Sequence, residues 1–156
     1  MNPKIEFIES KLLVGIRIKT TLSTDNPISY WKPFKIGLSA IENTITERFY
    51  SVQIIDKTDS PFTANTEFEK WAAVEVSQLG HVPNGMETLR IPEGKYAVFT
   101  HKGTATSFPQ TMQFIFGKWI PNSEYQEDNR PHFEIMDKDY RTDDEHAEEL
   151  VYVPIK

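Results

Sequence analysis

The sequence contains no cysteine, which excludes disulfide bonds, a thiol nucleophile and thiolate metal ligands. Its four histidines are scattered, with no pair at the i, i+4 spacing that binds a metal ion on a helix. A Gly-x-Ser-x-Gly elbow and a glycine-rich phosphate loop are also missing from the sequence. We therefore expect neither a metal nor a cofactor.

Long apolar runs and an excess of positive charge are missing too. No hydrophobic stretch approaches the ~20 residues that a membrane-spanning helix needs, and the N-terminal residues do not have the pattern of a signal peptide. With 17 Lys and Arg against 23 Asp and Glu, the net charge is −6, which is the wrong sign for a nucleic-acid-binding surface. These absences predict a cytoplasmic protein with no membrane partner and no direct nucleic-acid partner.

Aromatic residues, by contrast, are abundant. The chain has 3 Trp, 6 Tyr and 10 Phe among its 156 residues. Its hydrophobic content of 38% and charged content of 26% are typical of a globular domain. The aromatic content indicates a large apolar core, an aromatic-lined pocket, or both.

Strand and helix periodicities follow one another in the first half of the chain. Residues 5–19 and 49–55 have the pattern of strands, and 56–65 is expected to be a polar turn. By period, residues 68–77 fit either a helix or a strand, and the alternation of Val74-Glu75-Val76 favours a strand. An amphipathic helix of roughly four to five turns is predicted between the first two strands. Its apolar positions are Trp31, Phe34, Leu38, Ile41 and Ile45.

The second half repeats this order. Residues 87–91 and 95–102 have strand patterns before the predicted helix, and 131–138 and 149–155 have them after it. The helix is expected to have about three turns and to end at Pro121. Its apolar positions are Phe108, Met112, Ile115 and Trp119.

This repeat predicts an α+β fold with two pseudo-symmetric strand–helix–strand–strand modules, each an antiparallel sheet with one helix. We expect a single domain over residues 1–156, with pseudo-repeats at about 1–80 and 81–156. If each helix covers one face of its sheet, the opposite faces meet across a pseudo-twofold axis. The central cleft between them is the expected ligand site.

Strand alternation selects Glu134 as the main candidate residue of this cleft. In the 131–138 strand, Phe133 and Ile135 share one face, which we expect to pack beneath the helix, so Glu134 would face the cleft. A carboxylate in an apolar cleft has a raised pKa unless a cation neutralises it. Glu134 could therefore pair with a cationic ligand or act as a general acid or base. A solvated glutamate on an edge strand is the alternative.

Alternation also adds other candidate ligand-binding residues. Tyr152 should point away from its valine neighbours and into the cleft. The similarity between the final strands of the two halves puts Glu75 in the equivalent place, with Trp71 on the same face. Tyr50 and Phe99 are further candidates, although either face of the strand around Tyr50 could point inward.

The second half contains four segments that carry a family resemblance: Ile91–Phe99 with His101 and Gly103, Trp119–Tyr125, Arg130–Glu134 and Val151–Ile155. In their order and spacing, these segments resemble the GyrI-like family, which is also described as the effector-binding domain of bacterial transcription activators. The resemblance covers about residues 86–156.

The resemblance implies a cleft that binds amphipathic, cationic or aromatic drugs, with Glu134 and Tyr152 at matching family positions. The family often has Glu-Ile-Tyr where this chain has Glu134-Ile135-Met136, so one phenol is missing. Since no helix-turn-helix segment precedes the first strand, we expect a stand-alone small-molecule binding domain. The resemblance leaves two alternatives. One is a hydrolase that opens cyclopropane-type DNA-alkylating toxins, with Glu134 as its catalytic residue. The other is a protein-interaction module, such as a gyrase-protecting protein or a regulator's partner.

Overall fold

A computed structural model describes residues 1–56 and 62–156. Within these ranges, eight strands form one antiparallel sheet, in the spatial order β1-β6-β8-β7-β3-β4-β2-β5. The strands are β1 (Lys4–Ile8), β2 (Lys11–Thr20), β3 (Thr44–Ile54), β4 (Phe68–Val76), β5 (Glu87–Ile91), β6 (Gly94–Lys102), β7 (His132–Asp137) and β8 (Glu148–Pro154). The predicted α+β class is confirmed. The middle of the polar turn predicted at 56–65 lies outside the described residues.

The sheet is curled because short connections join strands from its opposite ends. β1 is first in the spatial order and β2 is seventh, yet only Glu9 and Ser10 separate them. β5 is last and β6 is second, and they are joined through Pro92 and Glu93. A two-residue connection spans only about 10 Å. The two ends of the sheet therefore approach each other and leave a concave inner face and a convex outer face.

Two helical segments cover the outer face. The first consists of α1 (Ile28–Gly37) and a 3-10 turn over Leu38–Ala40. The second starts with a 3-10 turn over Ala105–Ser107 and continues as α2 (Phe108–Phe114), a π-helical turn over Ile115–Trp119 and the short α3 (Ile120–Asn122). The order strand–helix–strand–strand therefore occurs twice, as β2-α1-β3-β4 and as β6-α2-β7-β8.

The first helix is shorter than its apolar spacing predicts. After the 3-10 turn, Ile41 has extended dihedral angles (φ −81°, ψ 123°), and Asn43 has a positive φ of 65°. The chain therefore turns here and starts β3. Ile45 lies in that strand and is 52% exposed, so it is not part of the helical face. The extended segment predicted at 5–19 is likewise divided, into β1 and β2.

An inner apolar cluster fills the concave face of the sheet. The rings of Phe133 and Tyr152 are stacked with centroids 4.5 Å apart, and Tyr96 meets Phe133 edge-on at 5.3 Å. The buried members are Ile8, Leu13, Tyr50, Val52, Trp71, Ala73, Ile91, Tyr96, Val98, Phe133, Ile135 and Tyr152. The cleft that we expected on this side is therefore occupied by the protein's own side chains.

Two further apolar clusters lie beneath the helices on the outer face. The α1 cluster includes Tyr30, Phe34, Phe49 and Val74. The α2 cluster includes Phe99, Ile115, Val151 and Val153. Both faces of the sheet are thus apolar, because the curl encloses one face and the helices cover the other.

Gly15 in β2 lies where the backbone of β4 leaves no room for a side chain. An added Cβ would overlap the carbonyl oxygen of Ala72 and lie 2.6 Å from the Cα of Ala73. These backbone atoms cannot withdraw without disturbing the β2–β4 hydrogen bonds. We expect Gly15→Ala to lower the free energy of unfolding by roughly 2 kcal/mol or more, measured by urea denaturation. Gly117→Ala is the matched control, because nothing lies within 4 Å of its added Cβ. A similar, small effect for both variants would contradict the prediction.

Candidate ligand-binding site

Glu134 lies on the outer, helix-bearing face of the sheet. Its neighbours Phe133 and Ile135 belong to the inner cluster, so the alternation of β7 turns Glu134 to the opposite side. It lies opposite Ser51 of β3 and Val151 of β8. The expectation that Phe133 and Ile135 pack beneath a helix is therefore wrong, because the curled sheet encloses them on its concave side.

Glu134 is buried at the boundary between the two outer clusters, with only 8% of its surface exposed. Met136, two residues further along β7, packs against the α1 cluster. Val151, opposite Glu134, belongs to the α2 cluster. The carboxylate is therefore flanked by apolar groups beneath both helices.

A glutamine donates a hydrogen bond to Glu134. The Nε2 of Gln53 donates to Oε1 of Glu134 at 3.1 Å and lies 3.2 Å from the hydroxyl of buried Ser51. Over residues 1–56 and 62–156, no cationic nitrogen lies within 4 Å of the Glu134 carboxylate. The carboxylate thus has polar contact but no ion pair there.

A lysine and a second buried acid lie on the same face as Glu134 and Gln53. Lys70 of β4 is paired with Gln53 of β3, and its Nζ lies 3.7 Å from Oδ2 of Asp25. Glu149 of β8 is 7% exposed and lies diagonally across the β7–β8 ladder from Glu134, since its direct partner is Met136. Strands from both modules therefore contribute to the site.

Burial is the main influence on the ionisation of both acids. Desolvation and the charge of Glu149 raise the pKa of Glu134 to about 8, against the opposing effects of Lys70 and the hydrogen bond from Gln53. Desolvation also raises the pKa of Glu149 to about 7, again opposed by Lys70. Near neutral pH, each acid is therefore present in both its neutral and its ionised form.

Two tyrosines border the same charges. Burial, followed by the nearby charge of Asp25, raises the pKa of Tyr30, whose hydroxyl donates to Oδ2 of Asp25 at 3.1 Å. Burial and the charges of Glu149 and Glu134 raise the pKa of Tyr140 to about 12. Both phenols are therefore neutral at physiological pH.

The whole chain, residues 1–156, matches the family model described as the GyrI-like small molecule binding domain. The chain belongs to the GyrI-like family. It is thus a small-molecule binding domain. In the described residues of this GyrI-like domain, no helix is long and apolar enough to cross a membrane.

Similar proteins include regulators and a ligand complex. The transcriptional regulator BrlR of Pseudomonas aeruginosa is 35% identical to the GyrI-like chain over 92 residues, which are 58% of this chain and 34% of BrlR. This chain therefore spans about a third of the length of that curated relative. The structure of SAV2435 bound to tetraphenylphosphonium has a TM-score of 0.76 and 16% identity, with 100% of this chain and 94% of SAV2435 covered. The C-terminal domain of EcmrR has a TM-score of 0.71 and 14% identity, with coverage of 99% and 97%. At these identities, the two structures show a shared fold.

Four of the predicted ligand residues of the GyrI-like domain lie together on the inner face, separated from Glu134 by the sheet. Tyr50, Trp71 and Tyr152 are buried members of the inner cluster. The hydroxyl of Tyr50 donates to Oε1 of Glu75 at 2.9 Å. The predicted constellation of Glu134 with Trp71, Glu75 and Tyr152 is therefore not formed, because these side chains point to opposite faces.

Phe99 shares the outer face with Glu134 but lies two strands away. The pairings of β6, β8 and β7 align Phe99, Val151 and Glu134 in one row. The ring of Phe99 is fully buried and meets Trp119 edge-on at 5.2 Å. Its contacts are those of a core residue beneath α2.

Sequence reasoning missed Gln53, Lys70 and Glu149. Glu149 is the first residue of the strand predicted at 149–155 and alternation puts it on the same face as Val151, but a charged residue at the start of a strand gives no sign that it is buried. Gln53 lies on the face of β3 that alternation left undecided, and Lys70 alternates with Trp71 in β4. Alternation along each strand indicates which face these side chains share. Only the pairing of β3 with β7, which joins the two modules, brings them close to one another.

Proposed function

We propose that this GyrI-like domain binds an amphipathic organic cation between its two helices, with Glu134 as the counter-charge. The observation that carries the proposal is a buried carboxylate with no cation within 4 Å among the described residues. Such a group is costly to ionise unless an opposite charge joins it. A cationic ligand supplies that charge, and apolar surface lies on both sides to hold its organic part.

Aromatic rings near Glu134 support an aromatic or lipophilic cation. Phe49 lies opposite Met136, next to the Glu134 position on β7, and Trp31 lies 6.0 Å from Phe49 between ring centroids. Ring faces attract organic cations when water is excluded. The complex of SAV2435 with tetraphenylphosphonium, a cation with four phenyl rings, also supports this ligand class.

The proposed ligand reaches Glu134 only when covering side chains move, since 8% of this residue is exposed. The net negative charge of the chain supports a small molecule, and not a nucleic acid, as its direct binding partner. A cytoplasmic location and a further protein partner remain predictions from the sequence.

Replacing the buried acid by its neutral isostere tests the proposal. We expect Glu134→Gln to lower the affinity for tetraphenylphosphonium at pH 9 by at least tenfold (about 1.4 kcal/mol), because it removes the counter-charge but keeps the shape of the side chain. Isothermal titration calorimetry gives the dissociation constants. Glu93→Gln is the control, since Glu93 is an exposed acid in the β5–β6 connection. Equal affinities for the wild type and Glu134→Gln, or no saturable binding at all, would refute the proposed function.

A further inference from the structure

Lys70 is placed to act on both buried acids of the site. In the pairing of β3 with β4 it lies opposite Gln53, which itself donates to Glu134. Its side chain is 19% exposed, so its charge is only partly screened by solvent. In keeping with this position, desolvation raises the pKa of Glu134 and of Glu149, and the positive charge of Lys70 opposes that rise at both acids.

The charged groups around Glu134 are unbalanced. On the outer face, β7 and β8 contribute Glu134 and Glu149, the segment before α1 contributes Asp25, and β4 contributes Lys70. In the part of the chain that the structure describes, the other polar groups that face these acids are the phenols of Tyr30 and Tyr140, the amide of Gln53 and two histidines. Of the histidines, His132 pairs with Glu127 at 2.9 Å, and His101 lies opposite Glu149 with its Nδ1 2.7 Å from the hydroxyl of Thr111. Among residues 1–56 and 62–156, three carboxylates of this face, those of Glu134, Glu149 and Asp25, thus share the ammonium group of Lys70.

We propose that Lys70 is the resident counter-ion of the Glu134 and Glu149 pair and that it competes with a cationic ligand for these carboxylates. The competition with a cationic ligand rests on the proposed function, whereas the counter-ion role does not. A ligand cation placed beside Glu134 meets repulsion from Lys70, so this lysine limits the affinity for cations. Lys70 is a specificity-determining residue in this role.

Asp25 gives Lys70 an ionic partner that remains when a ligand binds. Its Oδ2 lies 3.7 Å from the Lys70 ammonium and also accepts a hydrogen bond from Tyr30. When a ligand cation pairs with Glu134, Lys70 therefore still has the carboxylate of Asp25 as an ionic partner. An ammonium group left without any partner in this environment would oppose binding much more strongly.

The decisive variant is Lys70→Met, which keeps the length and the apolar stem of the side chain but removes its charge. At pH 9, where both acids are largely ionised, we expect it to bind tetraphenylphosphonium roughly tenfold more tightly than the wild type, because one like charge is gone from the site. Lys70→Arg should bind within about twofold of the wild type. Lys32→Met is the matched control for loss of a lysine, since Lys32 is exposed on α1.

A second readout needs no ligand. Carboxyl-detected NMR titration of the unliganded protein should show higher pKa values for Glu134 and Glu149 in Lys70→Met, and unchanged values in Lys70→Arg and Lys32→Met. Unchanged pKa values in Lys70→Met would overturn the counter-ion role. Raised pKa values with equal or weaker cation binding would overturn the competition. Raised pKa values with no binding to either protein would reject the proposed function and uphold Lys70 as the counter-ion.

Discussion

The affinity for tetraphenylphosphonium should rise about a hundredfold between pH 6 and pH 9. The ligand's charge is permanent, so the pH dependence comes from the protein. Because the pKa of Glu134 is about 8, only about one molecule in a hundred has this carboxylate ionised at pH 6. A cation that binds the ionised form gains about tenfold in affinity per pH unit below the pKa and levels off above it. Glu149, with a pKa of about 7, steepens the dependence at the acidic end.

Calorimetric titrations at constant ionic strength from pH 6 to pH 9 measure this profile. At pH 7, repeating the titration in buffers of different ionisation enthalpy should show the release of close to one proton from Glu134 for each ligand bound. Glu134→Gln should flatten most of the profile, whereas Glu93→Gln should follow the wild type. A pH-independent affinity in the wild-type protein would show that the ligand's charge does not meet a buried, protonated acid.

Local sequence patterns were sufficient to identify most strands of this domain. β5 occupies the predicted residues 87–91, β4 differs from its predicted range by one residue at its C-terminal end, and β8 is shifted by one residue at both ends. The alternation in β7 also correctly separated Glu134 from Phe133 and Ile135. Because successive side chains of a strand point to opposite faces, the sequence alone specifies which residues of a strand share a face.

Alternation does not specify which face a helix covers. In most sheets the more apolar face is the buried one, but the curl of this sheet buries both faces, so hydrophobicity could not distinguish them. The curl itself follows from the pairing of β1 with β6 and of β2 with β5. These are contacts between distant parts of the sequence, and no local pattern encodes them. For this reason Tyr50, Trp71, Glu75 and Tyr152 were assigned to the same site as Glu134.

The chemistry of the site depends on the same long-range pairing. The resemblance to the family pointed to Glu134, but nothing near it in sequence indicates Gln53, Lys70 or Glu149. They reach Glu134 because β3 pairs with β7, and β4 and β8 flank that pair. The buried acid Glu149 follows directly after an exposed acid, Glu148. Glu149 is buried because β6 and β7 pair with β8 on either side of it, and the acidic sequence around it does not show this.

Glu134 should also make the stability of the fold decrease as pH rises. Its pKa is 4.5 in a solvated reference state and about 8 in the folded protein. Between these values the folded state keeps a proton that the unfolded state has lost, so the free energy of unfolding falls by about 1.4 kcal/mol per pH unit for this group. The stabilisation is complete below about pH 4.5 and is lost as the pH passes 8. Glu149 contributes in the same direction between about pH 4.5 and 7.

Glu134→Gln should therefore be more stable than the wild type at pH 9 by roughly 3 to 5 kcal/mol, and similar to it at pH 4.5. Urea denaturation at several pH values with linear extrapolation gives this difference. Acids with lowered pKa values, such as Asp128 and Asp143, affect stability at lower pH. Since both proteins contain them, their contributions cancel in the difference between the two free energies of unfolding. Parallel stability profiles would show that Glu134 is not held in its protonated form. Because the ionised carboxylate destabilises the fold, a bound cation that neutralises it should recover much of this energy, and ligand-induced stabilisation of the wild type should be largest at alkaline pH.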